Sequence, residues 1–170
     1  VGVAQANAIV GQIGFSGEVE FDTGNIETAT AITGFLDETV IGRSGAYLPI
    51  PKFTPATFTP FVFNPASLPV SPLWEVIYDG VTYSFDLTSV VIDEQDTDSL
   101  VLKGTGTLQI AGGLTSYDPT PGTWVLSANN SGGSINFYSA DSTAVPDNGA
   151  TVMLLGASLV GLGVARRRLS

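Results

Sequence analysis

Trp74-Glu75-Val76-Ile77-Tyr78-Asp79-Gly80-Val81-Thr82-Tyr83-Ser84-Phe85-Asp86-Leu87 decides the fold class. Trp74 to Tyr78 reads as a strand. Asp79-Gly80 is the dipeptide a two-residue hairpin turn favours, because such turns place their central residues at positive φ. Val81 to Leu87 then returns as a second arm. Successive side chains of a strand point to opposite faces, so Val81, Tyr83, Phe85 and Leu87 share one apolar face. A chain that contains this segment builds sheet from local antiparallel hairpins.

The same grammar extends in both directions. Downstream, Val90 to Ile92 continues the apolar pattern into an acidic loop, Asp93 to Asp98. Leu100 to Ile110 is a long strand interrupted by Gly104 and Gly106, which predict a bulge or close packing. Trp124 to Ser127 and Ser134 to Ser139 form the last two strands, on either side of the turn-forming residues 129–133. Upstream, Ile13 to Phe21 is half-buried, with Val19 and Phe21 on one face and Glu18 and Glu20 on the other. Thr28 to Phe35 and Val40-Ile41 read as two further short runs. Seven of the ten prolines fall between Pro49 and Pro72. Proline lacks a ladder donor, so this stretch reads as edge strand or extended loop, pinned to the core by Phe53, Phe58, Phe61 and Phe63. No helix-period segment appears before residue 148. The expectation is a mainly β protein. An antiparallel, jelly-roll-like β-sandwich occupies residues 1–144, and one hydrophobic α-helix follows within 145–170.

Composition narrows the chemistry. Of 170 residues, 44% are hydrophobic and 13% charged, enough apolar surface for one domain with a real core. The formal charge is −10; up to Val145, three basic residues (Arg43, Lys52, Lys103) face fifteen acids, a net of −12. Such a surface repels phosphate backbones, so nucleic acid is not an expected partner. The chain has no Cys and no His, which removes thiolate or imidazole metal sites, disulfides, and Ser-His-Asp or Cys-His catalysis. Glu18 and Glu20 share a strand face, but a glycosidase needs two carboxyls across a cleft, and no enzyme is expected. No cofactor is expected either. The one candidate cation is Ca²⁺ on Asp93, Asp96 and Asp98, a loop of hard oxygen ligands without the glycine or terminal Glu of an EF-hand. Trp74, Trp124, Tyr47, Tyr78, Tyr83, Tyr117 and Tyr138 divide between core packing and sugar stacking, with core favoured. Asn129-Asn130-Ser131 fits a glycosylation sequon. The first twenty residues show no charged leader, so an exported chain would have lost its signal before this numbering starts.

The last 26 residues are a different material. Ala150 to Ala165 carries no charge, and Arg166-Arg167-Arg168 follows. As a helix, sixteen residues span roughly 24 Å, slightly short of a ~30 Å hydrocarbon core, and the arginines would stay on the cytoplasmic side. Before this run stands Val145-Pro146-Asp147-Asn148-Gly149. A Pro-containing motif, a glycine-bearing apolar stretch and a basic end, in that order, resemble the VPDSG variant of PEP-CTERM sorting signals. Asn148 stands where the variant has Ser. The resemblance implies export across the inner membrane of a Gram-negative bacterium to the cell surface or beyond. It also implies an exosortase-type enzyme that cuts near Val145, Pro146, Asp147 and Gly149, and an association with exopolysaccharide and biofilm matrix. The expected function is a non-catalytic surface or matrix protein. Ala157 and Gly161, four apart, would let helices approach closely, so self-association into filaments through the tail is a further expectation. The alternative is a carbohydrate- or calcium-binding module of the matrix.

Overall fold

A computed structural model describes residues 7–131 and 134–144. Its strands are β1 (Asn7–Ala8), β2 (Gln12–Phe21), β3 (Ala31–Arg43), β4 (Thr57–Phe58), β5 (Phe61–Val62), β6 (Val70–Tyr78), β7 (Val81–Gln95), β8 (Ser99–Ala111), β9 (Tyr117–Asp118), β10 (Thr120–Ser131) and β11 (Ser134–Ala144). β1 and β9 form a small parallel ladder, and the other nine join in the order β4-β6-β7-β8-β10-β11-β2-β3-β5. The mainly β, antiparallel expectation therefore holds. The predicted helix lies outside the described residues.

The two facing layers of a sandwich are here a single sheet curled until its edges meet. β2 and β6 are five strands apart along the sheet, on the order of 24 Å if it were flat. Yet the rings of Phe15 on β2 and Trp74 on β6 lie with centroids 5.0 Å apart. The seam is closed by the proline-rich stretch. Its Phe53 N–H donates to the Val40 carbonyl (2.7 Å), and the Val40 and Ala56 N–H groups bond the Thr54 and Glu38 carbonyls across β3. Then β4 pairs with β6, and β5 returns to pair with β3. Residues 53–62 thus act as an eighth stave between β3 and β6. Staves adjacent in sequence are adjacent in space all the way round, and the Greek-key crossovers of a jelly roll do not occur among the described residues. This is up-and-down closure, which removes sheet edges and leaves an interior that side chains can fill at about eight strands.

The interior is filled. Phe15, Trp74, Phe85, Leu102, Leu108, Trp124 and Leu126 are fully buried. Phe15 also meets Phe58 edge to face at 5.1 Å. Phe58, Phe61 and Phe63 pin the closing stave to the core as expected, but Phe53 does not. It sits at φ 66° and is 72% exposed, because the chain turns there to enter the stave. Gly104 and Gly106 serve close packing: a Cβ on Gly106 would stand 1.9 Å from the Asp86 carbonyl oxygen. Opposite them β7 carries one extra residue, Thr88, between the pairs Leu87–Gly106 and Ser89–Thr105.

Candidate functional site

Closure sorts the connections onto two ends. At one end lie the β6–β7 hairpin at Asp79-Gly80, the 112–119 connection, the approach to β2 through Val10, and the turn at Gly45–Tyr47 after β3. The last strand finishes at the same end, where Thr143 pairs with Gln12 and Ala144 with Gly122. We call it the tail end, because the chain leaves the barrel there towards Val145. At the far end lie the β2–β3 and β7–β8 connections. Gln95 ties these two together, its Nε2 donating to the carbonyls of Ile26 and Ala29 at 2.8 Å each.

A cleft of about 490 Å³ opens at the tail end, with Tyr78, Tyr83, Tyr117, Asp79, Ile110 and Leu114 among its lining. The hairpin supplies Tyr78 and Asp79. Asp79 at φ 49° and Gly80 at φ 75° form the two-residue turn its sequence predicts. Gly112, at φ 89°, packs so closely on that turn that a Cβ would lie 2.5 Å from the Gly80 carbonyl oxygen. Behind the cleft, Tyr47 is fully buried, and its ring lies 5.9 Å from that of Tyr83. Its hydroxyl has no hydrogen-bond partner among the described residues. Burial, then the neighbouring Tyr83, drives the Tyr47 phenol well above its ordinary range. Burial also raises Tyr83, reinforced by Tyr117, Asp79 and Tyr78. Tyr47 and Tyr83 are thus neutral hydroxyls at physiological pH. The cleft offers ring faces and phenolic oxygens, with Asp79 as its charged group. That chemistry suits binding of an amphipathic, hydroxyl-bearing ligand.

The predicted aromatic set therefore divides. Trp74, Trp124 and Tyr47 are core, Tyr83 is a buried part of the cleft lining, and Tyr78 and Tyr117 stand half-buried at its edge. The side chain of Tyr138 lies outside the described residues. Glu18 and Glu20 alternate with buried Val19 as expected.

Half of the acidic stretch is strand: residues 93–95 end β7, and 96–98 form the loop. Asp93 faces outward and pairs with Lys103 at 2.7 Å. Asp96 accepts the N–H groups of Asp98 and Ser99 at 2.8 Å each. These bonds, Asp98 first, lower its pKa. Asp98 offers its carbonyl to the Asn130 N–H. No group of three or more carboxylates among the described residues stands close enough to hold a metal ion. Elsewhere one carboxyl is notable: Glu38 is only 9% exposed, its Oε1 has no partner among the described residues, and burial raises its pKa.

Sequence reasoning missed Val10, Leu48 and Leu114, exposed apolar side chains on tail-end connections. Their one signal was being large and apolar beside turn-forming glycines and prolines: Gly11, Gly45 and Pro49, and Gly112-Gly113. The sorting-motif residues Val145, Pro146, Asp147 and Gly149, the small residues Ala157 and Gly161, and Arg166, Arg167 and Arg168 lie outside the described residues.

Comparison with known proteins identifies the tail. Residues 144–169 match the family model described as the VPDSG-CTERM motif, a PEP-CTERM-like sorting signal. No curated protein and no solved structure matches the chain. The chain is an exported protein with a C-terminal sorting signal.

Proposed function

We propose that this chain is a non-catalytic surface or extracellular protein of a Gram-negative bacterium: a filled β-barrel delivered by its tail and released or anchored by an exosortase-type enzyme. One observation carries the reading: the sorting motif follows directly on the last described strand. Among the described residues β11 pairs as far as Ala144, and the matched motif runs from 144 to 169. A processing enzyme acting at Val145 to Gly149 therefore cuts after all of the described barrel and leaves its strands in one piece. Among the described residues the ring of staves leaves no long strand edge unpaired, which suits persistence outside the cell. Retention of the tail would instead favour assembly of copies through Ala157 and Gly161 into filaments. Replacing Pro146 and Asp147 by Ala in the producing organism tests the reading. Full-length protein should accumulate in the inner membrane, and unchanged release would refute tail-directed processing.

A second reading, carbohydrate binding, draws on the tyrosine-edged cleft, whose ring faces and hydroxyls suit a sugar. Retention of the protein on its producer's own polysaccharide, lost in Tyr117→Ala, supports it. Equal passage of both proteins through that column rejects it.

A further inference from the structure

The two ends of the barrel differ in charge and in apolar exposure. Far-end connections (residues 22–30, 63–69 and 96–98) carry Asp22, Glu27, Asp96 and Asp98 with no basic residue, a net of −4. Tail-end connections (7–11, 44–52, 79–80 and 112–119) carry Lys52, Asp79 and Asp118, a net of −1. Val10, Leu48 and Leu114 stand on those tail-end connections with 63%, 61% and 110% exposure. None of the large exposed apolar side chains among the described residues stands on a far-end connection. Half-buried Tyr78 and Tyr117 complete the rim. The barrel is therefore a polarised object, acidic at one pole and weakly charged, apolar and aromatic at the other.

The chain leaves from the apolar pole. Only residues 145–149 separate Ala144 from the uncharged run that starts at Ala150. Five residues reach at most about 18 Å when fully extended. A polar headgroup layer is itself roughly 5–8 Å thick, so a tail held in a bilayer keeps this pole within contact range of the lipid surface. Leucine and valine at that depth leave water, and tyrosine, with its apolar ring and polar tip, is a residue of the bilayer interface. The acidic pole would be repelled by an anionic surface and faces away.

We propose that the tail-end rim, formed by Val10, Leu48, Leu114, Tyr78 and Tyr117, is a membrane-seating surface on which the barrel rests while its tail is still in the bilayer. The proposal rests on the tail reading above and adds an orientation to it. The motif at Val145 to Gly149 is then held at the interface for a membrane-embedded processing enzyme. Because the cleft opens on this rim, seating covers its mouth, and release of the tail uncovers it.

The absence of native cysteine makes the test direct. The full chain, with Leu48→Cys, Leu114→Cys or the far-end control Thr97→Cys, carries an environment-sensitive fluorophore. It is reconstituted into phosphatidylethanolamine–phosphatidylglycerol vesicles containing a lipid spin-labelled near the headgroup. All three positions are exposed, so the labels do not perturb the core. The expected result is flotation of all three with the vesicles. Blue-shifted emission and strong quenching should occur at Leu48→Cys and Leu114→Cys, with neither at Thr97→Cys. Flotation with all three labels in water would overturn the seating and leave the tail reading intact. Absence of flotation would overturn both. An equal blue shift at Leu114→Cys without vesicles would show a second copy covering the rim, which also overturns the proposal.

Discussion

Gly106→Ala probes how tightly the barrel wall is built. Gly106 lies opposite Leu87, next to the extra residue of β7. An added Cβ would stand 1.9 Å from the Asp86 carbonyl oxygen and 2.7 Å from the Phe85 ring. The nearest obstacle is backbone of the paired strand, and Phe85 is fully buried, so neither can swing aside. One strand must retreat by about 1 Å, and overpacking of this kind costs about 1–3 kcal/mol or more. Reduced freedom of the unfolded chain returns about 0.4–1 kcal/mol. The net loss should be about 2 kcal/mol, a large share of a typical 5–15 kcal/mol stability. At roughly 2–4 °C per kcal/mol for a chain of this size, the melting midpoint should fall by about 4–8 °C. Gly42→Ala is the matched control, with nothing within 4 Å of its added Cβ. Unfolding of both variants can be followed by fluorescence of the buried tryptophans at constant denaturant slope. If Gly106→Ala proves as stable as Gly42→Ala, the close approach of β7 and β8 is not as described.

Phe15→Ala removes the ring that touches both Phe58 and Trp74 across the closure. It should cost about 3–5 kcal/mol, and a loss under about 1 kcal/mol in the same denaturation assay would mean the edges do not meet there. Glu38 carries a folded-state pKa above its unfolded value because burial disfavours the carboxylate. Its contribution is therefore fully present below the unfolded pKa and fades as pH rises through the raised folded value. Glu38→Gln should be more stable than the parent near neutral pH and lose that part of the pH dependence; parallel stability–pH curves would contradict this. Asp93 and Asp96 are already engaged by Lys103 and by backbone N–H groups. Millimolar Ca²⁺ should therefore leave the melting midpoint unchanged, whereas a midpoint that climbs with Ca²⁺ concentration would place the ion on this loop.

Strand identity was legible wherever side chains alternate, as in the second half of β2 (Glu18 to Phe21) and in the hairpin around Asp79-Gly80. It failed where the ladder is irregular. Residues 28–41 read as two short runs but belong largely to one strand, Ala31–Arg43. Asp37 there takes φ 57°, and the register slips between Ser16 and Glu18, so the period of two is lost midway. Proline correctly marked residues 49–72 as extended and weakly paired. Nothing local could reveal that this stretch bonds two different strands and closes the ring, since closure is a long-range property. The cleft escaped for a related reason: Tyr78 and Tyr83 share one hairpin, but Tyr117 comes from β9 and meets them only in the barrel. The sorting motif was legible, because its information lies in contiguous residue types rather than in a fold.

The intact mass of the protein recovered outside producing cells tests the central claim most directly. A chain ending between Val145 and Gly149, with or without an added group, is the expected result. A mass that includes everything to Ser170 would contradict tail processing and leave assembly through the uncharged segment as the account to pursue.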